Sequence, residues 1–157
     1  MIRTRVLRGC LVLLTAGAWA WPATGDDTAF SDPVVAKLND KVLEFLEGIS
    51  QGNESSAFKD LLTGSQLGEQ SGAVKALIDK SKEIVERYGA YRESEAIGAR
   101  RLGKDVVLLR YLYKCEKFPV IWHVAFYRDF SRTAASDDSW VVISLRFDTQ
   151  LDFAGYN

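Results

Sequence analysis

The hydrophobic period changes once along this chain, at Gly89, and that change limits the folds open to it. Before Gly89 apolar residues recur every three to four positions, as on one face of a helix; after it they alternate, as on one face of a strand. Helices followed by strands, with no strand between the helices, exclude a parallel β-α-β sheet. They predict an α+β domain in which helices pack on one side of an antiparallel sheet.

The helical half divides into three. Ser31-Asp32-Pro33 places a capping residue before a proline at the first helical position. Val35, Leu38, Val42, Phe45, Leu46 and Ile49 then form one stripe, which predicts an amphipathic helix ending between Gly48 and Gly52. Glu54-Ser55-Ser56 starts a short second helix carrying Phe58, Leu61 and Leu62. A loop with Gly64, Gly68 and Gly72 follows. The third helix carries Val74, Leu77, Ile78, Ile84, Val85 and Tyr88 and is stopped by Gly89.

The alternating half predicts four strands. Tyr91 to Leu102 is polar, and Gly103-Lys104 joins it to Asp105 to Glu116, where Val107, Leu109, Tyr111, Tyr113 and Cys115 share a face. Val120 to Arg128 follows Pro119, with Val120, Trp122, Val124 and Phe126 on one side. A polar loop, Asp129 to Ser139, leads to the last strand. There the alternation predicts Val141, Ile143, Leu145 and Phe147 inside, with Trp140, Val142, Ser144 and Arg146 outside. The outer face is then too apolar to meet only water, and Ile121, His123, Tyr127, Trp140 and Val142 become candidate interface residues for a homodimer or another protein partner.

The first 25 residues read as an export signal. Arg3, Arg5 and Arg8 precede an apolar run from Cys10 to Trp21, and this run is short of the roughly 20 residues that cross a bilayer. Small residues at Ala18 and Ala20, or at Ala23 and Gly25, suit cleavage, and Pro22 favours the second point. Cys10 follows Arg8 closely and precedes the apolar run, the wrong order for a lipidation site. The expectation is a secreted or periplasmic protein without a stable membrane anchor, with a single domain from residue 26 to residue 157. Loss of three arginines takes the formal net charge from −1 to −4, which argues against nucleic acid or an anionic surface as partner. Cys115 is left as the one thiol, so no internal disulfide forms. Asn53-Glu54-Ser55 is a glycosylation triplet, of consequence only in a eukaryotic exporting cell.

Local wording adds to this pattern. Phe45-Leu-Glu-Gly-Ile-Ser-Gln-Gly-Asn-Glu-Ser-Ser-Ala57 resembles the first helix, and the turn into the second, of the NTF2-like superfamily with its cystatin-like cone fold. Leu102-Gly-Lys-Asp105, Phe126-Tyr-Arg128, Trp140-Val-Val and Phe147-Asp148 are similar to its hairpins. The resemblance covers most of residues 33 to 153 and rests on structural motifs. It implies a curved sheet wrapped on helices, often with a ligand pocket inside, and in some members an isomerase, dehydratase or cyclase. The inserting Gln-x-Val-x-Gly hairpin of cystatin inhibitors is missing.

The residues that could fill those roles are few. Tyr88, Tyr111, Tyr113, Trp122 and Phe126 are candidate pocket-lining residues for a small apolar ligand, with ordinary core packing as the competing role. Asp60, on the short helix, is the candidate catalytic carboxylate, with Tyr88, Tyr111 or Tyr113 as hydrogen-bond donor; its competing role is a solvated partner of Lys59. It matches no catalytic position of the superfamily. A single histidine, His123, excludes a metal site built on several imidazoles, and no cofactor is expected. Cys115 has only charged sequence neighbours, none of them a free base. Arg110, Arg128 and Arg146 are candidate anion contacts, and Asp137-Asp138 lacks the spacing of a calcium loop. Phosphate loop, nucleophile elbow and zinc signature are all missing. The sequence therefore favours a non-catalytic binding module over a small isomerase- or hydratase-like enzyme.

Overall fold

A computed structural model describes residues 30–131 and 139–149. The export signal and Asp137-Asp138 lie outside the described residues.

Four helices precede four strands. Helix α1 (Pro33–Ser50) is capped by Asp32, whose carboxylate accepts from the amides of Val34 at 2.8 Å and Val35 at 3.4 Å, satisfying donors that the helix itself cannot. Its buried residues are the six of the predicted stripe. Helix α2 (Glu54–Leu61) crosses close over the end of α1, because Gly48 has no side chain; a Cβ there would lie 2.9 Å from that of Ala57. The predicted glycine loop contains one further turn of helix, α3 (Gln66–Glu69), capped by the Ser65 hydroxyl. Four residues are too few to leave a periodic signal. Helix α4 (Ser71–Tyr88) ends at Gly89, whose φ of 88° suits glycine.

Strands β1 (Tyr91–Leu102), β2 (Val106–Cys115), β3 (Val120–Arg128) and β4 (Trp140–Asp148) form a curved antiparallel meander in the order of the chain. This is the α+β architecture that the change of period predicts. The core lies between helices and sheet. Trp122 is its centre, meeting Phe45 edge-on at 5.3 Å and Phe147 at 4.5 Å, while Phe45 also meets Phe58 at 5.0 Å.

The last strand departs from the predicted alternation. Ala125 pairs with Ser144 but Phe126 pairs with Val142, so Ile143 is an extra residue, a β-bulge. The bulge reverses the faces on its N-terminal side. Val142 and Trp140 join Leu145 and Phe147 on the helix side, Val141 lies beside Tyr127 on the other, and Ile143 is 51% exposed. Strict alternation assigns the reverse because Trp140, Val141, Val142 and Ile143 are all apolar, so either register keeps oil inside.

Candidate functional site

Among the described residues, the core around Trp122 is closely packed. Tyr111, Tyr113, Trp122 and Phe126 have 0% exposure, so no water-sized space touches any of them, and four of the five predicted pocket residues are core. The fifth, Tyr88, is half-buried and packs on Phe118 at 5.8 Å. These four rings take the competing role, packing in the core between helices and sheet. Burial pushes the hydroxyls of Tyr111 and Tyr113 well above the usual phenol range. Tyr111 donates to Asn39 Oδ1 at 2.9 Å, whereas the Tyr113 hydroxyl and Trp122 Nε1 have no hydrogen-bond partner among the described residues.

Asp60 does not enter this interior. It is exposed on the outer side of α2 and accepts from Ser56 Oγ at 3.2 Å. The buried carboxylate of α2 is Glu54, and its negative charge opposes ionisation of Tyr113. The spacing of Glu54, Ala57, Phe58 and Leu61 puts it on the buried stripe, although the sequence marks it only as the start of the helix.

The candidate interface residues separate in the same way. Trp140 and Val142 belong to the core side, because of the bulge. Ile121 has 0% exposure, although it lies outside the helix-side core cluster, and offers no surface. His123 is largely covered, and Tyr127 is exposed. Register sets Arg110, His123 and Arg146 in one row across β2, β3 and β4. The Arg110 guanidinium lies over Gly98, where a Cβ would come within 3.1 Å of it. Burial, then the positive charge of Arg146 and of Arg110, holds His123 below the usual imidazole value, against the pull of Asp148. His123 Nε2 is 3.5 Å from the Asp148 carboxylate without hydrogen-bond geometry. Arg128 is elsewhere, over the ring of Phe130. The three arginines therefore do not converge on one anion.

Cys115 is partly buried, and burial pushes its thiol up, opposite to what a nucleophile needs. Among the described residues no group of three or more His, Cys, Asp or Glu is placed to hold a metal ion, and no helix is long and apolar enough to cross a membrane.

What reaches solvent is apolar surface at one end of the sheet. Leu102, Val106, Tyr127 and Val141 form one cross-strand row on the face turned away from the helices. Leu102 is 43% exposed and Tyr127 37%; Phe130, 64% exposed, meets the Tyr127 ring at 6.2 Å. Ile143, at the bulge, adds to the same end, and a hollow of about 420 Å³ separates this strand end from α3. Sequence reasoning identified Tyr127 but missed Leu102, Phe130 and Ile143, which lie at strand ends or in a bulge where alternation is weakest. No family model matches the chain, and no curated protein or solved structure matches it either.

Proposed function

We propose that this chain is an exported, non-catalytic module of the NTF2-like type that works by pairing with a second copy through the open end of its sheet face. The observation that carries the reading is the exposed cluster Leu102, Tyr127, Phe130 and Ile143. Together these side chains present apolar surface on the order of 300–400 Å², the size of the largest apolar patch on a typical monomer, which is often functional. They supply the apolar centre of an interface and not its whole area. The rim carries both signs, with Arg100, Lys104 and Arg128 near Asp105 and Asp129. A two-fold partner presents the same rim reversed, so each sign has a counterpart.

The test is the oligomeric state of the exported form and of the double variant Tyr127→Asp, Phe130→Asp, by analytical ultracentrifugation at low micromolar concentration. The expected result is a dimer that becomes a monomer with unchanged circular dichroism. A wild-type protein that is monomeric throughout, or a variant that still dimerises, removes the proposal.

A further inference from the structure

The exposed patch supplies only part of what pairing needs. A stable interface covers roughly 800 Å² on each partner, so the remainder has to lie next to Leu102, Tyr127, Phe130 and Ile143. The adjoining surface is the hollow of about 420 Å³ between α3 and the start of β4. Ile143, 51% exposed, and Tyr127, 37% exposed, belong to both, so patch and hollow are continuous. Leu67 of α3, half-buried, lines the hollow with them.

The residue at its lip does not fill it. Asp129 and Ser131 line the hollow, and the Asp129 carboxylate accepts from the amide and the hydroxyl of Ser131 at 2.9 and 2.6 Å, which holds the lip as a turn. Phe130, between them, lies outside the lining: its ring turns to Tyr127 and stays 64% exposed. A large aromatic side chain thus stands beside an apolar hollow with room for one, since pockets for whole small molecules begin near roughly 300 Å³. A two-fold operation turns a knob and a hole on one surface into two equal insertions.

Charge fits the same placement. The Arg128 guanidinium lies over the Phe130 ring, 5.7 Å from its centre, so the knob carries a cation. Among the described residues that line the hollow, the one charged side chain is Asp129. We propose that Phe130 of each copy seats in the hollow of the other, against Leu67, Tyr127 and Ile143, with Arg128 brought beside the other copy's Asp129. This seating presupposes the pairing inferred above and assigns its anchor. The walls of the hollow supply contact area that the patch lacks.

Two single variants and their mixture test it, by fluorescence-detected sedimentation with the Phe130→Ala variant carrying the label. Phe130→Ala removes the knob and keeps the hollow; Gln66→Trp, at an exposed position of α3, blocks the hollow and keeps the knob. Each variant loses both insertions of a pair, so each is expected to weaken the dimer at least about thirtyfold, with circular dichroism unchanged. An equimolar mixture regains one insertion, and the mixed dimer is expected to be tighter than either variant alone by at least about fivefold. A dimeric wild type with either variant equally dimeric, or no gain on mixing, overturns the seating and leaves pairing through the patch intact. A wild type that is monomeric throughout removes the pairing, and the seating with it.

Discussion

The hydroxyl of Ser65 donates to the carbonyl oxygen of Val142, joining residues 77 positions apart. It also accepts from the Leu67 amide at 3.0 Å, so one buried side chain caps α3 and satisfies a carbonyl beside the β4 bulge. A bulge interrupts the ladder and leaves backbone groups to be satisfied from elsewhere. Here the helical layer supplies the partner, and the bulge in turn carries Val142 into the core.

Ser65→Ala removes both bonds at a site that is 2% exposed. The expected loss is about 2 kcal/mol, since the Val142 carbonyl is left without its donor. Urea unfolding of Ser65→Ala beside Ser144→Ala, an exposed serine on the same strand, measures it; equal stability of the two variants would contradict the role given to Ser65.

Two buried tyrosines on one strand should respond in opposite ways to loss of the hydroxyl. Tyr111→Phe breaks the bond to Asn39 and is expected to cost about 1 kcal/mol. Tyr113→Phe removes a buried hydroxyl with no partner among the described residues and is expected to be neutral or stabilising by up to about 1 kcal/mol. Thermal unfolding of the two single variants is the measurement, and a Tyr113→Phe variant less stable than Tyr111→Phe would refute the assignment.

As the only histidine, His123 gives one imidazole signal in a proton NMR titration. That signal should titrate below the ordinary value of 6.5, chiefly through burial. With the folded value below the unfolded one, the unfolded chain takes up this proton first as the pH falls. The contribution to stability is thus complete above 6.5, falls as the pH drops through the folded value, and is level below it. His123→Gln should flatten this part of the stability profile. A wild-type titration at or above 6.5 would count against the burial described.

Fold is more legible in this sequence than the candidate site. The six-residue stripe of α1 and the end of α4 were legible because each depends on residues within a few turns of one another. Asp60 and Glu54 lie on the same short helix, and which of them is buried depends on where the helix is docked. The open surface was harder still, since Phe130 and Ile143 sit where no period operates.

Sequence by itself determined the order of the long elements, their boundaries within a few residues and the side of β2 and β3 that meets the helices. Those properties are local, set by capping, turn residues and alternation. Tertiary structure alone decided that Phe45, Phe58, Trp122 and Phe147 meet in one aromatic cluster, because they come together from both halves of the chain. It alone decided the inner face of β4 as well. Where four consecutive residues are apolar, burial is satisfied in either register, and the choice falls to the single hydroxyl of Ser65 and the packing around Val142.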